Sequence, residues 1–294
     1  MNMTQKEYEK NSKLKREDVK MLQEWCVSQP HLPQMTEQEV IWFLQSCYFS
    51  NEGAKIAIDN YFTMKTMSPE LFKKRDFKSE VFQANLKLGC FTILPKKTHQ
   101  GDTVCFFKFL DPNPENFSLN EFIKIFDMVV MLDLYLNGTQ EGLRYCFDVK
   151  DISFGHVAKL SLVSLKKFLL YLQEGMPVRL RGLHYFNATP VLDKALTLIK
   201  PFLKKEVLEM LTIHQSLKTM EQYIPLDCLP IDYGGKCDSV TSIYEKTKKE
   251  FIENEGFFEH QDEQLVDESK RPGKAKNVSD IFGVEGTFKK LDLF

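Results

Sequence analysis

Val104-Cys105-Phe106-Phe107-Lys108-Phe109-Leu110, halted by Asp111-Pro112, is a nearly continuous run of apolar, β-favouring residues. A strand this apolar is buried on both faces, as in a parallel sheet. Downstream, a helix is expected from Ser118, with Glu121 as its capping-box partner. It carries Phe122, Ile125, Phe126, Val129, Val130, Leu132 and Leu134, and stops at Asn137-Gly138. A second strand reads over 143–149. A helix follows over about 161–174, halted by Gly175-Met176-Pro177, and then a third strand over 178–186. Strands alternating with helices of this length predict an α/β fold with a mostly parallel sheet and crossover helices. Beyond Asp193 the chain reads as helical to about Met210, broken at Pro201, with a short last strand at 211–213 and a helix over about 239–254.

Upstream the period is helical. Leu14, Val19, Leu22, Trp25 and Cys26 precede a Pro30-His31-Leu32-Pro33 break. Thr36 and Glu39 form a capping box for a second helix. A third, after Asn51, sets Ala54, Ile58, Tyr61 and Phe62 on one face and is expected to end at Ser68-Pro69. Three segments are expected: a helical bundle over 1–75, an α/β domain over 76–240, and a C-terminal helix and tail over 241–294. The charged stretch 259–277 reads as an extended tail, after which Phe282 and Phe288 could dock on the body.

The composition narrows function by exclusion. A net charge of −2 over 294 residues gives no basic domain for nucleic acid. The first twenty residues are too charged for a signal sequence and no run approaches a membrane span, so the chain reads as cytoplasmic. The seven cysteines form no C-x-x-C pair, and the six histidines show no helical metal spacing, so no metal site is expected. No G-x-G-x-x-G, P-loop or G-x-S-x-G motif occurs. Asp148 and His156 would need Ser153 on a sharp turn to form a triad; a satisfied buried or capping pair is the reading kept. No catalytic residue is assigned, and the chain is not read as an enzyme. The 24 phenylalanines suit an apolar lining or an ordinary large core equally.

Two features stand out. Arg179 and Arg181 alternate with Val178 and Leu180, which puts two guanidinium groups on one strand face, costly unless they reach water, a salt bridge or an anion. From Thr189, a capping residue with Pro190 at the first helical position, Val191, Leu192, Ala195, Leu196, Leu198, Ile199, Phe202 and Leu203 build a broad apolar surface ahead of Lys204-Lys205. It reads either as an ordinary packed helix or as a movable lid.

The stretch Met176 to Asn187, with Ile199-Lys200-Pro201-Phe202-Leu203, Leu229-Pro230-Ile231-Asp232-Tyr233-Gly234-Gly235 and Phe147-Asp148 ahead of Phe154-Gly155-His156, resembles the CRAL-TRIO lipid-binding family, and within it the alpha-tocopherol transfer group. Phe43-Leu44, Cys47 and Ala54-Lys55 are similar to its N-terminal helical domain. Phe282 to Phe288 is similar to the tail of arthropod members. The resemblance implies a helical domain packed on a sheet floor and a deep pocket for one non-covalent lipid, either tocopherol, retinoid, carotenoid or a similar terpenoid, with no other cofactor. The expected lining is Phe126, Val130, Phe154, Val157, Val178, Leu180 and Leu183. Phe126 and Val130 stand where the tocopherol-binding member carries hydroxyls, which makes this wall more apolar. The expected gate comprises Val191, Leu192, Leu196, Ile199, Phe202 and Leu203. Transfer between membranes, peripheral association with a membrane surface, and release assisted by phosphoinositides at Arg179, Arg181, Lys204 and Lys205 are further implications. Gln45, Glu206 and Met210 depart from basic positions of the group. The alternative is a lipid-regulated protein-interaction module working through the tail.

Overall fold

The structure is a computed structural model that describes residues 3–73 and 75–283. Five strands form one sheet in the order β1 (Gly89–Ile93), β2 (Thr103–Phe109), β3 (Leu143–Asp148), β4 (Leu180–Phe186) and β5 (Leu211–Ile213). β1 runs antiparallel to β2; every later pairing is parallel. When spatial order follows chain order, right-handed crossovers all lie on one side of the sheet. Helices Leu119–Asn137 and Leu162–Glu174 accordingly share a core with Cys105, Phe107 and Phe109 of β2. Val104 and Phe106, on the alternate face, pack instead with Met220, Ile224, Leu229, Val240, Ile243 and Tyr244 of the C-terminal segment. The α/β architecture with a mostly parallel sheet is thus as expected; β1, five residues ahead of Leu94-Pro95, was not anticipated.

Helices Arg16–Val27, Glu37–Ser46 and Asn51–Thr66 build the N-terminal domain. The Thr36–Glu39 capping box forms, with Glu39 N–H donating to Thr36 Oγ1 at 3.2 Å and Thr36 N–H to Glu39 Oε2 at 2.7 Å. The Ser118–Glu121 box does not. Ser118 makes no side-chain cap, and the Glu121 carboxylate accepts instead from Lys124 at 2.8 Å and Asn85 at 3.0 Å. Pro69 opens a short helix (Pro69–Phe72) where only a stop was expected.

The helical domain packs mainly on the crossover helices, not on the sheet itself. At the junction, the buried Asp127 carboxylate accepts from Lys65 Nζ at 2.9 Å and from Tyr171 Oη at 2.5 Å. Gly175 allows a close approach: a Cβ there would lie 3.1 Å from the Tyr61 Cα.

The stretch 259–277 departs from a free tail. Helix Glu255–Glu263 covers its start, and the remainder is strapped to the helical domain. Gln264 Nε2 donates to Glu39 Oε1 at 2.9 Å. Asp267 N–H donates to the His31 carbonyl at 2.9 Å, and Arg271 Nη1 reaches Asp59 at 2.8 Å. Asp262, Arg271 and Lys276 each reach partners some two hundred residues away, which local composition cannot reveal. Phe282 is buried, as expected; Phe288 lies outside the described residues.

Candidate functional site

The crossover layer and the sheet separate near the C-terminal ends of β2–β4, where open α/β folds place their ligands. A cavity of about 180 Å³ remains there. Its floor is Phe107 and Phe109 from β2, Phe147 from β3 with Val149 just after it, and Leu183 and Tyr185 from β4. One wall is the first two turns of helix Leu119–Asn137, through Leu119, Phe122, Ile123 and Phe126; another is Leu165, Phe168, Leu169 and Leu172 of helix Leu162–Glu174. Such i, i+3, i+4, i+7 spacing lays one helix stripe along the hollow. Among the described residues, only His156 and Tyr185 bring polar side-chain atoms to the lining; the other lining side chains are hydrocarbon.

Helix Pro190–Ile199 closes the cavity. Leu192, Ala195, Leu196 and Ile199 face inward and Leu203 follows from the turn at Pro201, while Asp193, Lys194 and Thr197 face out. Thr189 takes the N-cap position, but its hydroxyl makes no cap bond. The helix follows Asn187, whose φ of 53° is in the left-handed region. At its far end Gln173 Nε2 donates to the Phe202 carbonyl at 3.0 Å, and Lys204 N–H donates to Gln173 Oε1 at 2.7 Å.

Of the residues expected to line a pocket, Phe126, Val157 and Leu183 border this cavity. Four do not. Phe154 begins the short helix Phe154–Ala158 and is 63% exposed. Val130 lies one helical turn past Phe126. It meets Val178 beside Gln45 and Arg179, at the N-terminal ends of the strands, in a void of only about 10 Å³. Leu180 starts β4 at that same closed end and packs into the core. A bulge contributes to the misreading: Leu143 pairs with Leu180 and Arg144 with Gly182, leaving Arg181 as an extra residue. The inserted residue breaks simple alternation, so Leu180 and Leu183 share a core that parity would deny one of them. Among the gate residues, Leu192, Leu196, Ile199 and Leu203 border the cavity, whereas Val191 and Phe202 are half-buried outside it. Residues not anticipated as lining include Phe107, Phe109, Phe122 and Phe147, whose only signal was apolar strand and helix periodicity.

The basic residues have partners of their own. Arg179 Nε donates to the Gln45 carbonyl at 2.8 Å, and its guanidinium lies 4.2 Å from the centre of the Tyr48 ring. Arg181 is exposed, 5.9 Å from the same ring. Both arginines therefore converge on Tyr48, but Arg179 is engaged in joining the two domains. Lys204 Nζ pairs with Glu174 at 3.0 Å and Lys205 Nζ with Glu209 at 3.8 Å. Gln45 is buried and donates to the Gln140 carbonyl at 2.7 Å; Glu206 is exposed and Met210 half-buried.

Asp148, His156 and Ser153 form no triad. Asp148 Oδ2 accepts from Tyr233 Oη at 2.7 Å and its Oδ1 from Asn187 Nδ2 at 3.0 Å. His156 Nδ1 accepts from the Ser153 N–H at 3.2 Å and lies 2.8 Å from Ser153 Oγ, closing a helix start. Among the described residues, no helix is long and apolar enough to cross a membrane.

The human protein named alpha-tocopherol transfer protein-like is 26% identical over 198 residues, covering 66% of this chain and 56% of the human one. The chain therefore matches little more than half the length of that relative. Clavesin-1 of Xenopus laevis is 24% identical over 226 residues, covering 74% of this chain and 67% of its own. A crystal structure of Sfh5 aligns over 84% of this chain and 99% of that chain, with a TM-score of 0.46 and 14% identity. Residues 11–82 match the Pinta-like, UBA domain. Residues 87–235, about half of the chain, match the CRAL/TRIO domain, and the chain belongs to that family.

Proposed function

We propose that this chain binds one apolar lipid in the cavity under helix Pro190–Ile199 and carries it between membranes. The observation that carries this reading is the lining: a hollow walled by hydrocarbon from β2, β3, β4 and four helices, where among the described residues only His156 and Tyr185 add polar side-chain atoms. Transfer is supported by a relative named for tocopherol transfer. At about 180 Å³ the hollow is smaller than the ~300–1,000 Å³ typical of ligand pockets, so a terpenoid requires the gate to shift outward. Asn187 and Pro201 flank that helix as hinges. Opened at a bilayer, Leu192, Leu196 and Ile199 would meet acyl chains as an interfacial helix does. Phe154 is an exposed ring on a helix packed beside the gate, and adds to the same apolar rim. Tocopherol, a retinoid and a carotenoid all fit this class. Native mass spectrometry of the purified chain after incubation with membrane extract is expected to detect one lipid per protein; a chain that takes up no lipid overturns the reading.

We further propose that phosphoinositide-assisted release rests on Arg181 more than on Arg179, since Arg179 is held by Gln45 and Tyr48. Arg181→Glu is expected to slow transfer to phosphoinositide-containing vesicles by roughly five- to thirty-fold, from about 1 kcal/mol per charge at the membrane surface. Transfer to neutral vesicles and the melting temperature should stay unchanged. Equal rates with both vesicle types would remove the headgroup role.

A further inference from the structure

A residue bordering the cavity that the proposed function rests on carries an unanswered hydrogen-bond donor. His156 is 2% exposed and borders the cavity, its ring packed 4.6 Å from Phe109 and 5.3 Å from Phe117 between centroids. Its Nδ1 receives the Ser153 backbone N–H, a group that can only donate, so Nδ1 is the lone-pair nitrogen of the ring. Burial lowers the imidazole pKa below its ordinary value, which favours the neutral ring. The remaining proton therefore sits on Nε2. That atom is buried with no partner among the described residues. A buried donor left unpaired costs free energy that native structures rarely tolerate without a use. Other buried orphan atoms occur, such as His31 Nδ1 and Trp42 Nε1, but none of their residues borders this cavity.

We propose that His156 Nε2–H is the polar anchor for the cargo, and that the natural ligand is an oxygen-bearing lipid whose carbonyl or hydroxyl oxygen accepts this proton while its hydrocarbon body fills the Phe-lined hollow. A pure hydrocarbon leaves the donor unpaired and binds more weakly. The ligand oxygen lies at the Phe109–Phe117 side of the cavity, near the mouth of helix Phe154–Ala158. This selects among the cargo classes above: alcohols, aldehydes, ketones and esters over carotenes.

Matched probe pairs test it: farnesal against farnesene, and hexadecanal against hexadecane, titrated into the full chain. Wild type is expected to bind each aldehyde about ten- to a hundred-fold tighter than its hydrocarbon partner. His156→Phe should reduce that preference to about twofold, leaving hydrocarbon affinity nearly unchanged. Ser153→Ala, which disturbs the same helix start but keeps the imidazole, should retain the preference. Should the phenylalanine variant fail to fold, nitrogen NMR of wild-type histidines decides: the His156 Nε2 proton should move downfield with farnesal and stay in place with farnesene. Equal affinity within both pairs, or an Nε2 signal indifferent to farnesal, overturns the anchor while leaving lipid binding intact. Binding of none of the four probes overturns the reading of the cavity, and the anchor with it.

Discussion

Asp127→Ala should lower the unfolding free energy by about 3–5 kcal/mol in denaturant titrations, because it strands a buried cation. Lys65 is enclosed by Asp127 at 2.9 Å and by the rings of Tyr61, Phe72 and Tyr171. Burial pulls its ammonium pKa down to about 8 even with Asp127 in place. The pair joins a helix of the N-terminal domain to a crossover helix, so the loss should also loosen the domain junction. Exchanging both partners for apolar residues, Lys65→Met with Asp127→Leu, should return stability to within about 1–2 kcal/mol of wild type, as buried ion pairs usually allow. A pH signature accompanies this. Unfolded, the lysine holds its proton to about 10.4, whereas folded it releases it near 8. Between these values the unfolded state binds more protons, so wild-type stability gains with rising pH there and the double variant lacks that gain. A loss below 1 kcal/mol for Asp127→Ala would show that water reaches the site.

Leu196→Asp should reduce lipid affinity by more than a hundred-fold, measured by ligand fluorescence on protein with wild-type circular dichroism. Leu196 is 1% exposed and faces the hollow, where a carboxylate has neither water nor a cation. Phe154→Asp provides the contrast. Its ring is 63% exposed, so affinity in solution should stay within about twofold while transfer to vesicles slows. If Leu196→Asp carries lipid at wild-type stoichiometry, the cargo lies elsewhere; if Phe154→Asp alone abolishes binding, the short helix forms the pocket and this cavity does not.

Much of the scaffold was legible because its signals are local. The apolar run at Val104–Leu110, the stripe from Phe122 to Leu134 and the breakers at Gly138 and Gly175 each act within one element. The cavity-facing side of helix Pro190–Ile199 was legible for the same reason, since Leu192, Leu196 and Ile199 recur at helical spacing. Where reading failed, a distant partner intervened. Glu121 is drawn to Asn85, 36 residues away, and the tail's Arg271 and Lys276 pair with Asp59 of the helical domain. The bulge at Arg181 belongs to the pairing with β3 and has no trace in β4 alone.

The sequence by itself determined the alternation of strands and helices, the apolar character of the interior, and the amphipathic segment from Pro190 to Leu203, because periodicity and breakers are written residue by residue. Only the tertiary structure decided where packing stops. An apolar side chain is equally content against a neighbour or beside a hollow. Phe126 and Val130, four residues apart, differ because the crossover helix meets its neighbours at one end and parts from them at the other. The same spacing of elements left His156, which borders the cavity, with a buried Nε2 that has no partner among the described residues.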